Sequence, residues 1–258
     1  VLLSVYNGEA TLREAIDSVL NQTLRDFEFI IIDDRSKDSS PHILREYVRR
    51  DSRIRAVFHE RNRGLSTSLN EGLVLAATDL VARMDQDDVS LPNRLKLQTR
   101  FMRTRPDVAA AGSFVYHMGR TRRLDRLIRL PAEHEEIVKI LPTQNCMYHP
   151  SMILRRSAVL EVGGYRDAFQ NAEDYDLWLR LSRAHRLANL QVPLLRYRFS
   201  AGSMSLARRW QQMRYVQMAQ VSYRAPMLAG DALARAADVA LHPVAPAPSF
   251  APVARGLL

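Results

Sequence analysis

Short apolar runs and amphipathic stretches alternate along the first 85 residues. Val1 to Val5 reads as a strand, and Glu9 to Asn21 as a helix with Leu12, Ile16, Val19 and Leu20 on one face. Phe27-Glu28-Phe29-Ile30-Ile31-Ile32 is rich in β-forming residues and reads as a buried parallel strand ending at Asp33-Asp34. Ser39-Ser40-Pro41 carries the hydroxyls and first-turn proline of a helix start and leads to Ile43, Leu44, Tyr47 and Val48. Ile54 to Phe58 is a third strand, Leu65 to Ala77 a helix with Leu65, Leu69 and Leu73 four apart, and Leu80 to Met84 a fourth strand. This β-α-β-α-β-α-β order predicts an α/β fold with a Rossmann-like, mostly parallel central sheet flanked by helices.

In such sheets ligands bind beyond the carboxyl ends of the strands. Three polar clusters fall there: Tyr6-Asn7 after the first strand, Asp33-Asp34 after the second, and Asp85-Gln86-Asp87-Asp88 after the fourth. The later chain is less regular. It predicts a strand within Asp107 to Met118, a short helix over Glu133 to Leu141, a strand over Ser151 to Leu154 and a turn at Val162-Gly163-Gly164-Tyr165. Ala172 to Ala184 follows as a helix, Leu194 to Phe199 as a strand, and Ser203 to Tyr223 as an amphipathic helix. The expected organisation is one domain over residues 1–224. It divides into a first half, 1–105, whose strand ends carry the polar clusters, and a second half, 106–224, and the Ala- and Pro-rich stretch 225–258 is expected to be poorly ordered.

Carboxylates crowded at a strand end repel one another, so the cluster at Asp85 to Asp88 suits a cation or a metal-polyphosphate complex. Alternate residues of an extended segment point the same way, which lets Asp85 and Asp87 face one ligand while Gln86 faces away. Hard carboxylate oxygens favour Mg2+ or Mn2+. Asp88 is expected to cap the following segment. Asp34, at a strand end, is placed to accept a hydrogen bond from a base imide or a ribose hydroxyl. Glu173-Asp174-Tyr175-Asp176 opens a helix, where acidic residues also suit the helix dipole. Asp174 and Asp176 cannot share a helix face, so one can enter a cleft as a general base while the other supports the helix. His149-Pro150-Ser151 is a candidate border of the same cleft.

Composition narrows these readings. With 47% hydrophobic and 25% charged residues the chain is an ordinary globular protein, and no apolar run approaches the roughly 18 residues of a membrane-spanning helix. Val1-Leu2-Leu3 lacks the features of a signal peptide, and the single Cys146 excludes an internal disulfide and a cysteine-rich zinc site. A cytoplasmic location is therefore expected. The formal charge is +9, with dense arginines over Arg45 to Arg63 and Arg120 to Arg129, which favours anionic partners and allows a place at the inner face of an anionic membrane. No Gly-x-Gly-x-x-Gly follows the first strand, against a dinucleotide oxidoreductase.

Six segments in series are more specific than any one of them. Ser4-Val5-Tyr6-Asn7-Gly8-Glu9, Asp17-Ser18-Val19-Leu20-Asn21-Gln22-Thr23, Ile32-Asp33-Asp34, Asn62-Arg63-Gly64-Leu65, Arg83-Met84-Asp85-Gln86-Asp87-Asp88 and Ala172 to Arg180 together resemble glycosyltransferase family 2. The resemblance implies a GT-A fold, a nucleotide-sugar donor (UDP-, dTDP- or GDP-linked), Mg2+ or Mn2+, and inversion at the anomeric carbon onto a glycan or lipid-linked acceptor. It places Tyr6, Glu9, Asp34 and Asp85 at the donor nucleotide and Asp85 and Asp87 at the metal. Asp174 falls at the catalytic base, with Glu173 and His149 at the cleft. Two positions depart from the family pattern. Arg35 stands where a glycine is common, and Ser200 where a histidine often sits near the diphosphate. A sugar nucleotidyltransferase lacks its Gly-rich, Lys-bearing triphosphate loop here, and a nucleic-acid-binding module lacks a recognition motif, so no nucleic acid is expected. A catalytically weak partner subunit stays open because of Arg35 and Ser200.

Overall fold

A computed structural model describes residues 1–118, 125–198 and 206–225, the side chains of 206–210 excepted. Nine strands form one sheet in the order β3-β2-β1-β4-β8-β6-β9-β5, with β7 on β6. The parallel half holds β1 (Leu2–Val5), β2 (Phe29–Asp33), β3 (Ile54–Phe58) and β4 (Leu80–Met84). Between them run α1 (Leu12–Leu20), α2 (Ser40–Arg50) and α3 (Leu65–Leu75). Every residue of β2 is buried, as a strand covered on both faces must be. Its alternation sorts the core: Phe29 and Ile31 pack with Leu12, Ile16 and Val19 of α1, while Ile30 and Ile32 pack with Leu69 and Leu73 of α3. Gly72 lets α3 lie close on β1, since a Cβ there would collide with the Leu2 side chain.

The second half continues the sheet in mixed directions. It comprises β5 (Val89–Ser90), α4 (Arg94–Thr104), β6 (Val108–His117), β7 (Arg126–Ile128), α5 (His134–Ile140), β8 (Ile153–Arg155), α6 (Arg156–Glu161), α7 (Glu173–Ala184), β9 (Arg186–Tyr197) and α8 (Leu206–Arg224). β8 is antiparallel to both β4 and β6, β9 is parallel to β6, and β5 is antiparallel to β9. The sheet therefore carries β4, with its acidic end, in its interior.

The sequence reading lacks β5, β7, α4 and α6 and starts β9 too late. Strand β9 begins at Arg186 and not at Leu194, because its first half buries Asn189, whose side-chain amide donates to the Pro131 and Cys146 carbonyls and breaks the apolar pattern. Helix α4 escapes an apolar periodicity test because two of its four buried positions are Arg94 and Gln98. The boundary of α7 matches its acidic start, and Trp178 is fully buried on it. The stretch 226–258, Ser200 and Arg120 to Arg123 lie outside the described residues.

Candidate functional site

The acidic segment leaves β4 at Asp85 and turns into β5 at Val89. Gln86 faces away from its neighbours: its side-chain oxygen accepts the Tyr6 N–H at 2.9 Å and its amide donates to the Tyr6 carbonyl at 3.2 Å. This closure draws the loop after β1 against the acidic turn and requires Gly8, since a Cβ there would lie 2.7 Å from the Gln86 oxygen. Asp85, Asp87 and Asp88 each bring one carboxylate oxygen within 4.8 Å of the others. Asp88 does not cap the next segment. It is 1% exposed, its Oδ1 accepts the Arg198 N–H at 2.7 Å, and its Oδ2 is buried without a partner. Burial, and then the charge of Asp85, push the Asp87 carboxyl up and hold Asp88 well above the carboxylate range. Three converging carboxylates, one of them with an orphaned oxygen, are a donor set that fits a hard divalent cation, which would relieve their repulsion.

The loops after β1 and β2 are laced together. The Asn7 N–H donates to Ser36 Oγ and the Gly8 N–H to Ser40 Oγ, both at 2.9 Å, and the Lys37 N–H donates to Asn7 Oδ1 at 2.7 Å. The Glu9 carboxylate takes part, accepting the Ser39 N–H at 2.9 Å. Arg35 adopts the left-handed conformation (φ 64°) that a glycine would take at less cost, so the turn survives at an expense on the order of 1 kcal/mol. Tyr6 is 44% exposed on this rim. Asp34 is buried and largely committed to the protein. Its Oδ1 meets His59 Nδ1 at 2.8 Å and the Arg63 N–H at 2.7 Å, and its Oδ2 accepts the Gly64 N–H at 2.8 Å. By count, Oδ2 has one acceptor direction beyond the Gly64 N–H.

Facing the acidic turn is the first turn of α7. The cleft between them has a volume of about 580 Å³, and Asp85, His149, Glu173 and Asp174 all line it. Asp174 Oδ2 accepts the Asn145 side-chain amide at 3.1 Å and its Oδ1 accepts the Tyr175 N–H at 2.7 Å. Burial pushes the Asp174 carboxyl up, while these hydrogen bonds favour its ionised form. Glu173 is pushed up to about 7 by burial and then by the Asp174 charge. Asp176 points elsewhere, into an ion-paired knot with Arg166 and Arg180. His149 is buried, its Nε2 lies 2.8 Å from the Tyr165 hydroxyl, and burial holds it well below the usual imidazole range and hence neutral.

Residues 1–164 match the family model described as Glycosyl transferase family 2. The chain belongs to glycosyltransferase family 2. It is 35% identical over 202 residues to the O-antigen biosynthesis glycosyltransferase WbnJ of Escherichia coli, covering 77% of this chain and 78% of that protein. To the amylovoran biosynthesis glycosyltransferase AmsE of Erwinia amylovora it is 32% identical, covering 81% and 79%. A third relative, the UDP-Gal:alpha-D-GlcNAc-diphosphoundecaprenol beta-1,3-galactosyltransferase of Escherichia coli, is 30% identical, covering 78% and 74%. Among solved structures, S. aureus TarS 1-349 in complex with UDP superposes with a TM-score of 0.66 at 18% identity, covering 85% of this chain and 64% of that one. The mannosyltransferase PcManGT from Pyrobaculum calidifontis, in complex with GDP-Man and Mn2+, gives 0.65 at 16% identity, covering 94% and 69%. The fold is GT-A, and the protein is a nucleotide-sugar-dependent glycosyltransferase.

In this family 2 enzyme the sequence-read residues divide between two neighbouring places. Asp85, His149, Glu173 and Asp174 line the cleft. Tyr6, Glu9 and Asp34 belong to the laced rim beside it, tied to the acidic turn through Gln86. Sequence reasoning missed Arg83, Asn145, Tyr148 and Tyr197, which also line the cleft. Tyr148 and Tyr197 pack edge to face with ring centroids 5.2 Å apart, and His117 Nε2 lies 2.8 Å from the Tyr148 hydroxyl. Nothing in their local sequence separates them from core aromatics.

Proposed function

We propose that this enzyme transfers a sugar from a nucleoside diphosphate donor to a hydroxyl of a glycan or lipid-linked acceptor, with inversion in a single displacement. The observation that carries the reading is the placement of Asp174 across one cleft from Asp85. Asp174 accepts the proton of the acceptor hydroxyl as that oxygen attacks the anomeric carbon. The carbon-oxygen bond to the diphosphate breaks on the opposite face, so attack and departure are in line and no covalent intermediate is needed. Asp85 and Asp87, with Asp88, would hold Mg2+ or Mn2+, which supplies charge neutralisation to the departing diphosphate. Tyr6, Glu9 and Asp34 shape the nucleotide rim: Tyr6 offers an exposed ring, Asp34 its free lone pair, and Glu9 its grip on the neighbouring loop.

A UDP-linked donor is favoured by the donor named for the Escherichia coli galactosyltransferase and by the UDP complex of TarS; dTDP- and GDP-sugars are the alternatives. The O-antigen and amylovoran relatives point to a role in polysaccharide assembly. No helix among the described residues is long and apolar enough to cross a membrane. For work at the cytoplasmic membrane face the arginine-rich stretch 120–129 is the proposed contact: a variant with Arg122, Arg123 and Arg126 changed to Glu should sediment less with anionic liposomes, and unchanged sedimentation rejects this.

The catalytic reading is tested with two variants and a panel of nucleoside diphosphates, with and without Mn2+. Asp174→Asn should keep the nucleotide-induced rise in melting temperature and lose transfer by about 100-fold or more. Asp87→Ala should lose the Mn2+-dependent part of that rise. Transfer by Asp174→Asn equal to that of the parent removes the base assignment.

A further inference from the structure

Two arginines are buried beside the acidic turn, and only one is satisfied by the fold. Arg94 is 1% exposed, and all three of its guanidinium nitrogens are bonded: Nε to Gln98, Nη1 to Ser90, and Nη2 to the carbonyls of Arg83 and Met152. Its role is structural. Arg83, next to last on β4, is 3% exposed and borders the cleft. Its Nη1 is held by Asp85 Oδ1, while its Nε is buried without a hydrogen-bond acceptor. Burial opposes its charge, and the Asp85 carboxylate more than offsets that. Its charge is also felt by the carboxylates of Asp87, Asp88, Glu173 and Asp174.

The geometry points to Arg83 as a positioning residue that competes with the divalent cation for Asp85 and so limits how tightly the acidic turn binds metal. Asp85 belongs to the three-oxygen cluster and is also the ion-pair partner of Arg83. A divalent ion entering the cluster meets a carboxylate already engaged by one positive charge, and it is repelled by that charge at close range. Removing the guanidinium frees Asp85 and removes the repulsion. This direction is opposite to that of a purely structural role, in which loss of Arg83 would disorder the turn and weaken metal binding. The inference rests on the metal reading of Asp85, Asp87 and Asp88.

The test is Mn2+ titration of the nucleotide-free protein, read by the loss of the free-ion electron paramagnetic resonance signal or by calorimetry. Arg83→Met, which keeps length and removes charge, should bind Mn2+ roughly tenfold more tightly, the effect of one unit charge acting on a divalent ion a few ångströms away in a watery dielectric. Arg83→Lys keeps the charge and should stay within about threefold of the parent. Should Arg83→Met fail to fold by circular dichroism, Arg83→Gln carries the same expectation. Unchanged or weaker Mn2+ binding by the folded neutral variant overturns the proposal, as does an Arg83→Lys variant that binds as tightly as the neutral one. Asp87→Ala separates the two levels. If its Mn2+ binding matches the parent, the metal reading of the turn fails and the competition at Arg83 falls with it. If Asp87→Ala loses binding while Arg83→Met gains none, only the role of Arg83 is rejected.

Discussion

Glu173 offers a sharp test of the electrostatics of the cleft. The residue is 7% exposed, and burial followed by the Asp174 charge lifts its carboxyl from 4.5 to about 7. A carboxyl whose pKa is raised on folding binds its proton more tightly in the native state. Its contribution to stability is therefore fully present below about pH 4.5 and is lost as the pH rises through about 7. A shift of about 2.5 units at 1.36 kcal/mol each amounts to roughly 3 kcal/mol over the whole range, of which about 2.5 kcal/mol falls between pH 5 and pH 8. Glu173→Gln keeps the shape and cannot ionise. The variant should match the parent within about 1 kcal/mol at pH 5 and exceed it by about 2–3 kcal/mol at pH 8. The assay is urea unfolding of both proteins with chelator present, because a bound cation would alter the local field. Asp87, Asp88 and Asp174 titrate in both proteins, so the difference between them isolates Glu173 to first order. If the two stability curves run parallel from pH 5 to pH 8, Glu173 is not the strained carboxyl the geometry makes it.

Two further perturbations separate scaffold from chemistry. Asp176→Ala removes the 2%-exposed partner of Arg166 and Arg180 and leaves Arg180 unpaired near the Gly163-Gly164 turn; it should cost about 3 kcal/mol in urea unfolding, and a loss below about 1 kcal/mol refutes the structural role. His59 bridges Asp34 and Glu71 at 2.8 and 3.0 Å, so His59→Leu takes one partner from each carboxylate and leaves both to Arg63 and the Gly64 N–H; it should cost about 1–3 kcal/mol and weaken nucleotide binding more than it slows transfer at saturating donor.

The parallel half of the fold and its polar rim were legible because each strand ends where its apolar run ends. Asp85, Asp87 and Gln86 followed from the two-residue alternation of an extended segment, which the structure keeps over Asp85 to Asp87 and breaks at Asp88, whose carboxylate joins the same cluster. Asp88 was misread as a cap because its partner is the Arg198 N–H, 110 residues away, a contact no local rule contains. Arg83 was hidden inside the run Leu80-Val81-Ala82-Arg83-Met84, where a charged residue in a strand reads only as a break in apolarity. Helix α4 and the first half of β9 were obscured in the same way, since Arg94, Gln98 and Asn189 are polar residues buried by hydrogen bonds. Asp34 was found, but its company of His59, Arg63 and Gly64 came from a loop about 30 residues downstream.

The difference between the two sides of the cleft has a physical cause in how each is held. On the proposed donor side, backbone N–H groups of the loop after β1 donate to the short side chains of Ser36, Ser40 and Asp38 in the loop after β2, and Gln86 ties that pair to the acidic turn. Short polar side chains in turns leave a recognisable sequence pattern, and they also fix the rim before any ligand arrives, which lowers the entropy cost of binding a flexible diphosphate. The opposite wall is assembled from Asn145, Tyr148 and His149, which lie in an irregular segment between α5 and β8, together with the first turn of α7. Those residues meet through tertiary packing alone: Asn145 reaches Asp174, Tyr148 reaches His117, and His149 reaches Tyr165. A wall built this way, proposed as the acceptor side, can change its preference by single substitutions without disturbing the proposed donor rim. Exchanges at Tyr148 or Asn145 should therefore alter acceptor choice while leaving the nucleotide-induced thermal shift intact, and loss of that shift would show the two walls to be one cooperative unit.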